Sequence, residues 1–305
     1  MAAEKTLTFY LENKMLGPAK AGRINVINRI SAAVASRGVK TAFRLDSDEN
    51  LIRSASDPGW SLFHMSAPFH DRALCLRRAY FYPFWHIENT SRRWENSIAR
   101  APFHADEQPE EAARAFCDGW RRRLFEGKAE AATRDGYVFV PLQGRLLVRR
   151  SFQSMSPLEM LRTTHEQLPE RQIRITLHPN ERYSAQETEA LARLLAQSPR
   201  YELYNGPGEI LLRHCDLVVT ENSSMALRGF FLHKPAVLFA AIDFHHVAAN
   251  VRTMGAAAAF RQARTAEVPF DAYLFWFLAR MSINAGREDA QRRILDAMRK
   301  GGWRI

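Results

Sequence analysis

Between residues 137 and 240, short apolar runs alternate with segments whose apolar residues recur at helical spacing. The apolar runs are Tyr137–Leu142, Ile173–Leu177, Tyr201–Tyr204, Asp216–Thr220 and Pro235–Ala240. Runs of this length joined by helical segments predict parallel strands with right-handed crossovers. Every strand of such a sheet delivers its carboxyl end to the same edge, where ligands bind. The pattern therefore predicts an α/β domain with a binding site along one edge.

Polar residues follow each of these runs. In chain order they are Gln143, His178-Pro179-Asn180, Asn205-Gly206, Glu221-Asn222-Ser223-Ser224 and Asp243. The serine turn offers hydroxyls and free backbone N–H groups at a predicted helix start, and a histidine can donate a hydrogen bond to a phosphate oxygen. This edge therefore suits a phosphate or a nucleotide.

A simpler interpretation of the same residues stays open. Ser223 and Ser224 are good helix caps, and His178 before Pro179 is compatible with an ordinary turn. The sequence contains neither GxGxxG nor GxxxxGK[ST], so the usual dinucleotide and phosphate-loop fingerprints are absent. Anion binding at this edge would depend on the serine turn and the histidine together.

The first half of the chain predicts a second, smaller α/β sheet. Its predicted strands are residues 6–11, Val39–Leu45, Ser61–Met65 and Ala79–Ile87, with a helix at Ile24–Ala35 and a polar loop at Glu12–Arg23. The polar segment Gly127–Gly136 is the predicted hinge. We expect an N-terminal domain at 1–130 and a C-terminal domain at 131–305, whose final helix is free to pack back on the first.

Composition and charge limit the possible partners and the cellular location of the chain. The chain has 305 residues and a formal charge of +10, which suits an anionic substrate, an acidic membrane face or nucleic acid. No nucleic-acid-binding motif is present, so we expect no nucleic-acid partner. Cys75, Cys117 and Cys215 lack metal spacing and indicate reduced thiols. With no apolar run of membrane length and no signal peptide, we expect a cytoplasmic protein that can also lie on the inner membrane surface.

Five short segments resemble the bacterial capsule polysaccharide synthesis proteins, which include Kdo transferases. They are VPLQ (140–143), SFQSMSPLEML (151–161), ITLHP (175–179), CDLVVTENSS (215–224) and HKPAVLF (233–239). The histidine-proline and double-serine pair is also similar to that of bacterial sialyltransferases that use CMP-activated sugars. The resemblance covers about residues 137–245. It implies a GT-B architecture, with two Rossmann-like domains and the donor nucleotide in the C-terminal one.

The resemblance also implies roles for the predicted edge. His178, within the His178-Pro179 motif, would contact the donor phosphate, and Ser223 and Ser224 would hold the phosphate or a sugar carboxylate. Gln143 and Asn205 would contact base or ribose. At Glu221-Asn222 the chain departs from the Gln or Asn that often precedes the serines. A carboxylate beside an anionic sugar is unfavourable unless it points away or binds ribose hydroxyls, so the donor stays open.

An inverting transferase needs a general base for the acceptor hydroxyl. We expect it in the first domain, at Glu88 or His86 after the predicted strand Ala79–Ile87, with Glu12 as the next candidate. The alternative is that His86 packs among aromatic residues and that Glu88 pairs with a neighbouring arginine. Asp46-Ser47-Asp48 is interpreted as a solvated turn, because the resemblance implies a metal-independent enzyme with no cofactor beyond its nucleotide-sugar substrate.

These observations lead to one expected function and two alternatives. The expected function is transfer of Kdo or a related acidic sugar from a CMP-linked donor to a surface polysaccharide or glycolipid. One alternative replaces the donor with a UDP- or GDP-sugar. The other is a protein of the same fold that binds anionic glycan or lipid without chemistry.

Overall fold

The computed structural model describes residues 5–305, the side chain of residue 130 excepted. Contacts divide the chain into two compact units. The first unit is formed by the chain up to Ala101 together with Trp276–Ile305, and the second by Pro102–Phe275. The strands are β1 (Thr6–Leu11), β2 (Lys40–Leu45), β3 (Trp60–His64), β4 (Ala73–Arg78), β5 (Phe84–Glu88), β6 (Tyr137–Pro141), β7 (Gln172–Thr176), β8 (Tyr201–Leu203), β9 (Leu217–Thr220), β10 (Ala236–Leu238), β11 (Ala249–Asn250) and β12 (Ile283–Asn284).

Helices cover both sheets. They are α1 (Asn13–Lys20), α2 (Asn25–Ala35), α3 (Asp48–Ser54), α4 (Ser97–Arg100), α5 (Glu110–Phe125), α6 (Pro157–Gln167), α7 (Ala185–Leu195), α8 (Gly208–His214), α9 (Ser224–Phe230), α10 (Val251–Met254), α11 (Ala256–Thr265), α12 (Phe270–Leu274) and α13 (Ala290–Lys300). Short 3₁₀ turns lie at Arg93–Glu95 and Lys128–Ala131, and a π-helical stretch lies at Phe275–Arg280.

The first unit contains a mixed sheet in the order β12-β5-β4-β3-β1-β2. The strands from β2 to β4 are parallel, whereas β5 runs antiparallel to β4 and β12 antiparallel to β5. One core joins the sheet to α2 and α13, and it includes Phe9, Ile30, Leu74, Ile294 and Met298. Because α13 buries its apolar face here, the end of the chain belongs to the first unit.

Two predictions in this unit are wrong. The segment predicted as one strand over Ala79–Ile87 is a turn followed by β5, and the preceding strand β4 was not predicted. Only five residues separate β4 from β5, too few for a parallel crossover, so β5 has to reverse direction. The predicted loop Glu12–Arg23 contains helix α1, in which Met15 and Ala19 pack on the core despite Gly17 and Pro18.

The second unit contains a fully parallel sheet in the order β11-β10-β9-β6-β7-β8. The five strands predicted for this half are confirmed. The residues of β6, β9 and β10 are buried on both faces, as expected for a parallel sheet covered by helices, whereas the edge strand β8 is largely exposed. All of these strands therefore end at one edge.

Local sequence signals fix several helix starts in this unit. Ser156 caps α6 and Ser184 caps α7, each in a reciprocal capping box with the glutamate three residues later. Ser223 caps α9, with its Oγ accepting the N–H of Met225 at 3.3 Å. These caps fix where the chain leaves the sheet edge and enters the helices.

The segment predicted as the hinge, residues 127–136, lies inside the second unit, between α5 and β6. Helix α5 is held in this unit by Arg121, which pairs with Asp271 on α12. The Cys117 thiol also lies 3.6 Å from the Asp271 carbonyl oxygen.

Among residues 5–305, no helix combines the length and apolar character needed to cross a bilayer.

Candidate functional site

His178 lies just beyond the carboxyl end of β7, and its side chain is exposed. Its Nδ1 accepts the backbone N–H of Asn180 at 3.2 Å. Its own backbone N–H is bonded to the Tyr183 hydroxyl at 2.9 Å, which fixes the turn. In the neutral imidazole, an accepting Nδ1 requires the proton to be on Nε2. The ring is therefore arranged to donate a hydrogen bond from Nε2 to a ligand.

The serine turn follows β9. Ser223 is buried and caps α9, and its N–H faces the Thr220 hydroxyl at 3.4 Å. Ser224 is the first residue of α9 and is exposed. Capping uses only an acceptor lone pair of the Ser223 hydroxyl, so its proton stays available as a donor. The structure therefore combines the capping role with two hydroxyl donors.

Glu221, which follows β9 and precedes the serines, is almost completely buried. Its Oε2 accepts a hydrogen bond from the Gln153 amide and lies 3.3 Å from Arg150 Nη2. Its Oε1 is buried without a hydrogen-bond partner among the described residues. Burial raises the pKa of the Glu221 carboxyl to about 7, and the opposing effects of Arg150 and Gln153 do not cancel it. One carboxylate oxygen is thus held and the other can still accept.

Strand order decides which predicted residues meet. Since β9, β6, β7 and β8 are neighbours, the sheet places Ser223, Gln143, His178 and Asn205 in that order along one edge. Adjacent strands are about 4.8 Å apart, so the ends of β9 and β7 are separated by about 10 Å. The end of β6, followed by Gln143, lies between them.

The remaining predicted residues differ in exposure. Gln143 is half-buried, and its side-chain oxygen has no hydrogen-bond partner among the described residues. Asn205 and Pro179 are exposed at the same edge, and Asn222 is half-buried. Asp243 is fully buried beyond β10, on the far side of β9 from His178. The first four therefore keep exposed surface at the edge, whereas Asp243 has none.

In the first unit, His86 and Glu88 are predicted at the ligand-binding edge on the assumption that their strand is parallel to the others. This assumption about strand direction is wrong. Because β5 is antiparallel to β4, it runs away from the carboxyl edge, with His86 opposite Arg77 near the end of β4 and Glu88 opposite Cys75 in its middle. The Glu88 carboxylate accepts the N–H and hydroxyl of Ser97 at 3.1 and 2.6 Å, so it holds the start of α4. His86 is therefore level with the carboxyl end of β4, whereas the end of β5 that carries Glu88 points away from that edge.

His86 is a buried structural histidine. Its Nε2 is 2.9 Å from the Ser282 hydroxyl, which in turn donates to the Phe277 carbonyl oxygen at 2.8 Å. The Asn96 amide lies 3.5 Å from Nδ1. Burial, reinforced by Arg93 and Arg293, lowers the pKa of His86 to about 3. The environment of His86 therefore agrees with the alternative interpretation, in which this histidine is packed in the core.

Glu12 does lie at the carboxyl edge of the parallel strands, directly after β1. Its Oε1 is 3.4 Å from Nδ1 of His64, the last residue of the neighbouring strand β3. Lys14 lies 2.9 Å from Oε2, and its hydrogen bond is the main reason that the pKa of Glu12 is lowered. Burial lowers the pKa of His64, so the pair consists of an ionised carboxylate beside a neutral imidazole.

Sequence reasoning missed three residues of these two sites. His64 ends an apolar run, and this is the same signal that selected His178. Arg150 and Gln153 have no comparable local signal, because they precede α6 and approach Glu221 only through the fold. Among residues 5–305, no three His, Cys, Asp or Glu side chains form a cluster suited to a metal ion.

The chain is distantly similar to several solved structures. The solved structure of Thermosulfurimonas dismutans KpsC, beta Kdo 2,7 transferase, is 14% identical, with a TM-score of 0.52 over 97% of this chain and 99% of that chain. The beta Kdo 2,4 transferase of the same organism's KpsC is 9% identical, with a TM-score of 0.47 and 89% of each chain covered. Staphylococcus aureus MnaA with UDP is 10% identical, with a TM-score of 0.38 over 97% and 96% of the two chains.

The first of these likenesses shows a shared fold, which is the predicted GT-B fold of glycosyltransferases, with two α/β units. No curated protein matches the sequence. A sequence model of the capsule polysaccharide biosynthesis proteins matches residues 104–287, more than half of the chain. This chain therefore belongs to the capsule polysaccharide biosynthesis protein family.

Proposed function

We propose that this chain is a glycosyltransferase that moves Kdo or a related acidic sugar from a CMP-linked donor to a surface polysaccharide or glycolipid acceptor. The observation that supports it most is the edge of the second sheet, to which strand order brings both His178 and the Ser223–Ser224 turn. Family membership supports the capsule context, and the GT-B fold supports glycosyl transfer.

In this proposal His178 and the serines bind the donor phosphate. The Nε2–H of His178 donates to one phosphate oxygen, while the hydroxyls of Ser223 and Ser224 donate to others. Asn180 and the helix cap hold these hydrogen-bonding groups in position before the nucleotide sugar binds. As the glycosidic bond breaks, negative charge grows on the departing phosphate, and fixed donors stabilise that charge.

Glu221 would bind the ribose. Its Oε1 has no described partner, and a ribose hydroxyl is a suitable donor for a buried carboxylate oxygen. Arg150 and Gln153 hold its other oxygen and partly offset the charge. This arrangement accounts for a glutamate before the serines, because the carboxylate is engaged away from an acidic sugar. Gln143 and Asn205 would contact the base or ribose from the neighbouring strand ends.

Glu12 replaces His86 and Glu88 as the proposed general base. It would take the proton from the acceptor hydroxyl while that oxygen attacks the anomeric carbon, and CMP would leave with the electrons of the broken bond. Attack opposite to the leaving group inverts the anomeric configuration. Lys14 pairs with the carboxylate at 2.9 Å, His64 lies beside it, and no metal ion has a role in the proposed step.

A nucleotide panel tests the proposal. Full-length protein is heated with CMP, UDP, GDP or ADP at equal concentration, because a ligand that binds the folded state raises the melting temperature. We expect CMP to give the largest increase. A larger increase with UDP or GDP would indicate a UDP- or GDP-sugar as the donor instead. No response to any nucleotide would favour a non-catalytic glycan-binding protein. Sugar transfer from CMP-Kdo is then measured on the same preparation.

A further inference from the structure

The loop after β6 exposes two adjacent large apolar side chains. Leu147 is 40% exposed and Val148 is 51% exposed. They lie in the sequence Arg145-Leu146-Leu147-Val148-Arg149-Arg150, which has three arginines and no acidic residue. We call residues 145–149 the arginine-flanked loop. Single exposed apolar residues are common, but two neighbours at a loop tip bracketed by cations are unusual.

The tip is fixed by its surroundings. Leu146 is completely buried in the core of the second unit, and its N–H donates to Glu187 Oε1 at 2.7 Å. Its carbonyl oxygen accepts the N–H of Leu158 at 3.2 Å. The N–H of Val148 bonds to the Arg145 carbonyl oxygen at 3.2 Å. Because Leu146 is anchored inward, its two neighbours are held outward, and they cannot withdraw into the core without breaking these bonds.

Charge distinguishes this loop from the other exposed apolar residues. Arg145 and Arg149 are both exposed, and Arg145 makes no ion pair or side-chain hydrogen bond among the described residues. Arg149 donates from Nε to the Gln153 carbonyl oxygen at 3.3 Å, the one hydrogen bond of its side chain within residues 5–305, and lies near Glu159. Glu159 is already engaged by the Ser156 cap. Two guanidinium groups beside an apolar tip therefore remain available for an anionic partner.

We propose that the arginine-flanked loop is a contact for the surface of an anionic lipid bilayer. Leu147 and Val148 enter the boundary between headgroups and acyl chains, while Arg145 and Arg149 stay among the lipid phosphates. An extended anionic surface would contact both flanking cations at once. A loop that bound another protein through its apolar tip would not require these cations. With only two apolar residues and two arginines, the contact is weak, reversible and sensitive to salt.

The main experiment is cosedimentation of the full-length protein with lipid vesicles, without nucleotide or any other protein. We expect binding to vesicles that contain phosphatidylglycerol, weaker binding in high salt, and little binding to pure phosphatidylcholine. Replacing Arg145 and Arg149 by glutamine should weaken the partition coefficient about five-fold per arginine. Replacing Leu147 and Val148 by serine should weaken it about ten-fold.

Ile210→Ser is the matched control. Ile210 is also 40% exposed, but it lies in α8 beside Glu209 rather than between arginines. This variant should bind vesicles like the unmodified protein. Equal binding by the Leu147→Ser/Val148→Ser variant and the control would overturn the proposal. The absence of binding to anionic vesicles, or equal binding to neutral ones, would also overturn it.

A fluorescent label locates the contact directly. The native thiols of Cys75, Cys117 and Cys215 are buried, and burial raises their pKa, so they should resist labelling. An environment-sensitive dye on Val148→Cys should shift to shorter wavelength with anionic vesicles, whereas the same dye on Ile210→Cys should not. A shift at neither position or at both would contradict insertion of this loop. Because the experiment requires neither nucleotide nor transfer, its outcome is independent of the proposed function.

Discussion

The backbone N–H of Asn180 donates to Nδ1 of His178 at 3.2 Å and so places the imidazole proton on Nε2. This local turn determines which atom of the histidine can act on a ligand. In the proposed donor site that atom donates to the phosphate, while Nδ1 is already used within the protein.

The first prediction separates the two ring nitrogens. A glutamine amide nitrogen lies near the position of histidine Nε2, whereas an asparagine amide nitrogen lies near that of Nδ1. His178→Gln should therefore keep CMP affinity within several-fold, and His178→Asn should lose about ten- to hundred-fold, the equivalent of about 1.5–3 kcal/mol. Calorimetric titration measures both. His104→Ala, an exposed histidine in the segment before α5, is the control and should bind CMP normally. Equal losses in the glutamine and asparagine variants would contradict the tautomer assignment.

The second prediction concerns the general base. Glu12→Gln should retain CMP affinity but lower the transfer rate by at least about a hundred-fold, because general-base catalysis contributes about 10²–10⁴. Glu88→Gln is the matched control. Its carboxylate holds Ser97 at the start of α4, so we expect a loss of about 1 kcal/mol in stability and normal transfer per folded molecule. Normal transfer by Glu12→Gln would remove Glu12 from the mechanism.

The third prediction concerns the pH dependence that Glu221 gives to stability. The folded state raises the pKa of Glu221 from an ordinary value of 4.5 to about 7, so it binds this proton more tightly than the unfolded chain. The stabilising contribution is complete below the unfolded value and is lost as the pH rises through the folded value. Between these values, the unfolding free energy should fall by up to about 3 kcal/mol relative to Glu221→Gln. Denaturant unfolding at several pH values tests this, and parallel curves would contradict it.

The fourth prediction concerns His86, whose pKa is lowered in the folded state to about 3 from an ordinary value of 6.5. The neutral ring contributes stability above the unfolded value, and this contribution is lost as the pH falls toward the folded value. From pH 6.5 to 4.5 the loss should reach about 3 kcal/mol. His86→Gln should remove this acid sensitivity and leave transfer per folded molecule unchanged. Loss of transfer in a folded His86→Gln protein would return His86 to the mechanism.

The second sheet could be predicted from sequence because its signals are local. Each buried run is followed by a polar turn, and the caps at Ser156, Ser184 and Ser223 mark the helices that follow. A parallel sheet then brings the strand ends to one edge without further information. His178 and the serines could be placed there for this reason, although their roles remain proposals.

The first sheet was harder because strand direction depends on the connections. The length of the turn between β4 and β5 determines that β5 is antiparallel, so the end of β5 that carries Glu88 points away from the carboxyl edge. The connection from β3 to β4 contains no helix, so the alternation that marks the other strands is absent there. The partners of Glu221 depend on tertiary packing, since Arg150 and Gln153 lie about seventy residues away in sequence, at separations of 71 and 68.

The most direct test of the central claim is calorimetric titration of CMP into His178→Ala, Ser223→Ala/Ser224→Ala and the triple variant. If both elements bind one phosphate, each change should weaken CMP binding about ten- to hundred-fold, the equivalent of about 1.5–3 kcal/mol. The triple variant should lose less than the product of the separate losses, because the two elements share a ligand. The serine changes should also cost about 1 kcal/mol of stability through the lost cap. If the serine changes lower stability but CMP affinity is the same in all three variants, the serines act only as caps and the donor site lies elsewhere.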